Sequence, residues 1–107
     1  MTIQATGVQP IDSNTNGFVY NHTMLRVKDP VKSLEFYTGV LGMSLVRLSK
    51  NPENEFDLYF LAKLTPEELD NLPTGDELMR WVSRQRGILE LTHNYGTEND
   101  PDFSYHN

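Results

Sequence analysis

Two strand-like segments carry polar residues inside an apolar alternation. The first is "FVYNHTMLRV", residues 18–27. Strand side chains alternate between faces, so Val19, Thr23, Leu25 and Val27 share one face, and Tyr20, His22, Met24 and Arg26 the other. The second segment is "GILELTHN", residues 87–94. By the same parity Leu89, Leu91 and His93 share one face, while Ile88, Glu90, Thr92 and Asn94 share the other. The intervening pattern predicts the rest of a small fold. Asp29 and Pro30 read as an N-cap and a first helical residue. Val31, Leu34, Tyr37, Val40 and Leu41 follow at helical spacing, and Gly42 suits the position after the helix. "MSLVRLSK", 43–50, and "EFDLYFLAKL", 55–64, read as strands joined by the turn "NPEN". Phe56, Leu58 and Phe60 share a face of the second of these. Thr65, Pro66 and Glu68 form a capping box that starts a short helix. "DELMRWVSRQR", 76–86, is a second helical piece with Leu78, Trp81, Val82 and Gln85 along one side.

The resulting order is strand, helix, strand, strand, helical insertion, strand. This is an α+β fold, a single βαβββ module with a helical insertion before its last strand. Residues 1–17 are polar and turn-rich and read as a flexible arm. Residues 18–94 form the module, and residues 95–107 read as a connecting tail in which His106 is solvated.

Composition narrows the function classes. The 107 residues hold 15 acidic and 9 basic side chains, a formal net charge of −6. Nucleic-acid and anionic-membrane binders need a basic face, so both classes are disfavoured. In so acidic a chain, His22 and Arg26 on one strand face stand out. There is no cysteine, which excludes disulfides, thiol nucleophiles and zinc–thiolate sites and fits a cytoplasmic protein. No apolar run approaches the ~20 residues of a membrane span.

The polar residues of the two outer segments are in phase. His22 and Glu90 offer a nitrogen and an oxygen to a divalent metal. Arg26 and Asn94 each lie four residues further along their strands and suit a carboxylate. Met24, Phe56, Leu58 and Phe60 supply apolar surface. Pattern alone leaves a second reading open, in which His22 is a surface histidine and Glu90 an outward charge on an edge strand. His93 has the opposite parity and reads as structural.

"HTMLRVKDPVKSLEFYTGVLGMSLVR", "FDLYFLAKL" and "LELTHNYGTENDPDFSYHN" together resemble the N-terminal half of the glyoxalase I family (lactoylglutathione lyases), within the vicinal-oxygen-chelate superfamily. The insertion resembles the eukaryotic form. The resemblance implies a metal-dependent isomerisation of the methylglyoxal–glutathione hemithioacetal to S-lactoylglutathione through an enediolate. It implies zinc or nickel held by His22 and Glu90, with Glu90 also serving as a proton acceptor. It places glutathione against Arg26, Thr92 and Asn94, and Leu58 and Phe60 in an apolar pocket. The family pairs two βαβββ modules, so a second module, or a second copy in a homodimer, is expected to complete the site. Two other readings share the fold: a non-catalytic module that sequesters a small molecule, and another metal-dependent enzyme of the superfamily such as a dioxygenase.

Overall fold

The computed structural model describes residues 3–105; the expectation for His106 lies outside the described residues. Four strands form one mixed sheet: β1 (His22–Arg26), β2 (Ser44–Asn51), β3 (Phe56–Ala62) and β4 (Ile88–Asn94). Their spatial order is β1-β4-β3-β2. β1 runs parallel to β4, in register from His22 beside Ile88 to Arg26 beside Thr92. β4 pairs antiparallel with β3, and β3 with β2. The predicted βαβββ order with its insertion is therefore the observed one.

α1 (Pro30–Leu34) starts where the sequence places it, with the Asp29 carboxylate accepting from the Val31 N–H. It does not continue as a regular α-helix. Residues Glu35–Val40 are π-helical. The Thr38 hydroxyl donates to the Leu34 carbonyl at 2.5 Å, competing for an acceptor that the backbone ladder would use. Gly42 ends the segment at φ 71°, a conformation that costs a glycine little. The insertion holds α2 (Pro66–Asp70) and α3 (Asp76–Arg84). Thr65 forms the expected reciprocal capping box with Glu68.

The first strand is shorter than the 18–27 read from the sequence. Its ladder with β4 begins at His22, although the Gly87 and Ile88 N–H groups still donate to the Tyr20 and Asn21 carbonyls. In β2 the register shifts between Leu45 and Arg47. Val46 is thereby an extra residue, a bulge that simple alternation does not announce.

Both sheet faces are packed, but unequally. Behind the sheet, Val27, Leu61 and Leu91 are buried against Leu34 and Tyr37 of α1 and its continuation, and against Met43 just before β2. In front, Val46, Phe60, Ala62 and Ile88 are buried against Val82 of α3, with Leu78 and Trp81 around them. Leu78, Trp81 and Val82 thus pack as their spacing predicts. α3 covers one end of the front face. Towards the other end Met24 and Phe56 are half-buried, and Arg26 and Asn94 are exposed.

Candidate functional site

His22 and Glu90 meet on the open part of the front face. The register sets Glu90 beside Met24, one diagonal step from His22. His22 Nε2 lies 3.8 Å from Glu90 Oε1, and their side chains are 46% and 17% exposed. The carboxylate is thus the better shielded of the two. The imidazole does not turn freely. Its Nδ1 lies 2.7 Å from the Asn21 side-chain oxygen. The Asn21 amide nitrogen in turn donates to the carbonyls of Val82 and Gln85, at 2.9 and 2.7 Å. Helix α3, its C-terminal carbonyls and the ring form one connected assembly.

The donor set suits a divalent ion. Bonds of about 2.0–2.2 Å from an imidazole nitrogen and a carboxylate oxygen are the usual zinc geometry, and one ion reaches both atoms across the observed gap. Among the described residues no group of three or more His, Cys, Asp or Glu side chains is placed to hold a metal. This chain therefore presents a pair of donors.

The other expected site residues lie along the same face. Arg26 stands beside Thr92, and Thr92 beside Leu58 of β3. Asn94 stands beside Phe56, and Glu90 beside Phe60. Among the described residues neither the Arg26 guanidinium nor the Asn94 amide has a protein partner, while Thr92 is buried. Met24, Phe56 and Leu58 are half-buried; Phe60 is 9% exposed and belongs to the core beneath α3. A cleft of about 730 Å³ follows the free edge of β1. Met24 and Arg26 line it, together with Lys32, Phe36, Tyr37 and Tyr105, but His22 and Glu90 do not. The donor pair thus lies outside this cleft.

Behind the sheet lies a second polar cluster that sequence reading reduced to one structural histidine. Buried His93 meets Glu98 through Nε2. Buried Asp57 accepts from the Tyr95 hydroxyl at 2.6 Å. The Thr97 hydroxyl donates to the Lys28 carbonyl at 2.7 Å. Residues 95–99, the start of the expected connecting tail, are therefore a strap tied to β4, to β3 and to the segment after β1. Glu98 is held below the usual carboxylate range by its own backbone N–H and by His93, against the opposing effect of burial. Tyr95 is pushed up to about 12 by its hydrogen bond to Asp57, then by burial and the Asp57 charge. Asn21 was also missed. Its only sequence signal was its place, immediately before the candidate ligand at the strand's entry.

A βαβββ sheet whose first and last strands bring an imidazole and a carboxylate together is a module of the vicinal-oxygen-chelate kind. The chain belongs to the Glyoxalase/Bleomycin resistance protein/Dioxygenase superfamily, whose family model matches residues 19–106. It is 52% identical over 96 residues to a lactoylglutathione lyase of Pseudomonas putida, covering 89% of this chain and 54% of that one. It is 48% identical over 91 residues to glyoxalase I of Saccharomyces cerevisiae, covering 85% of this chain and 24% of that one. Among solved structures it is similar to the trypanothione-dependent glyoxalase I of Leishmania major, with a TM-score of 0.53, 33% identity, and 79% and 51% of the two chains covered. It is also similar to glyoxalase I of Zea mays, with a TM-score of 0.50, 30% identity, and 71% and 21% covered. The chain thus spans about half the length of the Pseudomonas relative, 54%. That match covers 89% of this chain and so includes the helical insertion. The insertion is therefore shared with a bacterial relative and does not mark a eukaryotic form.

Proposed function

We propose that this chain is the N-terminal module of a lactoylglutathione lyase. It would take the hemithioacetal of methylglyoxal and glutathione to S-lactoylglutathione, in the cytoplasm. The observation that carries this reading is the approach of His22 Nε2 and Glu90 Oε1 to 3.8 Å on one sheet face, with two unpartnered polar side chains further along it. The Pseudomonas putida relative is named a lactoylglutathione lyase and the Saccharomyces cerevisiae relative glyoxalase I, and the similarity to them supports the reading.

In this reading His22 and Glu90 hold a divalent metal, zinc or nickel. When bound, the metal supplies Lewis-acid stabilisation of negative charge developing on the substrate oxygens. The residues of this chain do the rest of their half of the work. Arg26 and Asn94, with Thr92 beside them, receive a glutathione carboxylate through charge-assisted hydrogen bonds. Met24, Phe56 and Leu58 form an apolar shelf, floored by Phe60. The Glu90 carboxylate accepts a proton from the carbon bearing sulfur and returns it to the adjacent carbon. The proton only changes carbons, so the isomerisation needs no oxidant or reductant. A second module, or a second copy, supplies the remaining metal donors.

The test pairs metal content with turnover. His22→Ala and Glu90→Ala are expected to lower bound zinc, measured by elemental analysis, and isomerase activity together. Glu90→Gln keeps an oxygen donor but accepts no proton, so activity is expected to fall further than zinc content. Full zinc occupancy in either alanine variant removes that residue from the ligand set.

A further inference from the structure

The Asn21 side chain has three polar contacts, and together they fix its orientation. Two are to backbone carbonyls, Val82 O at 2.9 Å and Gln85 O at 2.7 Å. A carbonyl only accepts, so the amide nitrogen must face them. The amide oxygen is then left for His22 Nδ1, at 2.7 Å. An oxygen that only accepts requires a proton on the ring nitrogen opposite. The neutral imidazole therefore carries its proton on Nδ1 and directs the Nε2 lone pair towards Glu90. At 3.8 Å the Nε2–Oε1 separation exceeds a hydrogen bond. With the ring neutral, two electron-rich atoms lie 3.8 Å apart with no proton between them, an arrangement that a cation relieves.

We infer that Asn21 is a positioning residue: it holds His22 in the Nδ1–H tautomer and ties that ring to the C-terminal end of α3. The inference rests on the reading of His22 as a metal ligand and adds the group that prepares it. Carbonyls in a helix's last turn lack partners within the helix. Here Asn21 donates to Val82 O, which also accepts from the Gln85 N–H, and to the carbonyl of the capping residue Gln85, so the placement of α3 and the aim of the ligand are tied to one side chain. α3 is itself anchored by Val82, which is buried against the core cluster containing Ile88. Hydrogen bonds that orient a ligating histidine through its other nitrogen typically change metal affinity by about 10–100-fold when removed.

The test reads the tautomer first and affinity second. Long-range proton–nitrogen NMR of the metal-free full chain, with the ring neutral, is expected to show His22 protonated at Nδ1. Asn21→Leu removes the acceptor and both donors, and is expected to move the proton towards Nε2. It should weaken zinc binding, measured by calorimetry, by about 10–100-fold, while the core amides of Leu61 and Leu91 keep their protection against exchange. Asn21→Asp keeps an acceptor beside the ring but loses the donors to α3. It should preserve the Nδ1–H form and speed amide exchange in the last turn of α3. An Nε2–H tautomer in the unmodified chain overturns the inference, as does an unchanged tautomer in Asn21→Leu. Should Asn21→Leu fail to fold, the tautomer of the unmodified chain and the behaviour of Asn21→Asp decide the matter. Absence of zinc binding by the unmodified chain would remove the metal reading of His22, and the NMR result would still decide the role of Asn21.

Discussion

Arg26 is an exposed cation on a sheet face of an acidic chain, and among the described residues it has no counter-ion. Such a group is free to meet a substrate carboxylate. Arg26→Ala, in a catalytically complete assembly, is expected to raise KM for the hemithioacetal several-fold or more. A hydrogen bond to a charged group is commonly worth about 1.5–3 kcal/mol, and steady-state kinetics reads the loss. Unchanged glutathione dependence would reject the assignment. Behind the sheet, charge acts on position. The Glu98 carboxyl is lowered in the fold, so its contribution is present above the ordinary glutamate value of 4.5 and is lost as pH falls below it. Its facing partner is His93, with Asp57 and Tyr95 in the same cluster. Tyr95 has the opposite sign. Its hydroxyl is raised from 10.0 to about 12, so its contribution is intact below pH 10 and is lost as pH rises towards 12. Stability measured against pH is expected to fall at both ends. Tyr95→Phe should flatten the alkaline limb and Glu98→Gln the acid limb.

At the scale of elements, energy and legibility diverge. Leu91 is fully shielded at 0% exposure and lies where β4 meets the helix behind it. Leu91→Ala is expected to cost about 2–5 kcal/mol, read as a lower denaturant midpoint. Thr65→Ala removes one side of a solvent-facing capping box and is expected to cost about 1 kcal/mol. The sequence announced both features, because burial alternation and capping are local patterns. Parity put His22 and Glu90 in phase on their own strands, and it is the β1–β4 register that sets them on one sheet face. Other features are not local. The bulge at Val46 depends on how β2 meets β3. The π-helical turn depends on a hydroxyl of Thr38 competing for one carbonyl. Tyr95 finds Asp57 across 38 residues, and Asn21 finds Gln85 across 64. Contacts at that separation leave no periodicity in the chain, so the strap read as a tail and Asn21 as a strand residue like its neighbours.

The whole molecule is extended for its length, and the end of its front face away from α3 is exposed at Arg26 and Asn94. Its radius of gyration is 17.0 Å, against about 13 Å for a compact chain of this size. Phe18 and Tyr20 are 77% and 74% exposed, and β1 is an edge strand with a free side. The donor pair on the front face has only two members among the described residues. Exposed apolar side chains and a free strand edge favour association, and on the proposed metal reading of His22 and Glu90 a second βαβββ unit would complete the donor set. A two-fold pairing of identical copies whose axis passes beside His22 and Glu90 would bring two imidazoles and two carboxylates to one cleft, since an isologous interface repeats each contact. Two His22 and two Glu90 side chains would then hold one divalent ion and let it supply Lewis-acid chemistry. The expected outcome for the isolated chain is therefore a dimer in size-exclusion chromatography with light scattering, carrying about one zinc ion per dimer by elemental analysis. His22→Ala should abolish zinc binding while leaving the dimer intact, because the association rests on apolar surface and strand edge rather than on the ion. A metal-free monomer would rule out the symmetric site and leave the chain dependent on a different second module. A dimer that disperses when zinc is chelated would instead make the ion itself the bridge between the two copies.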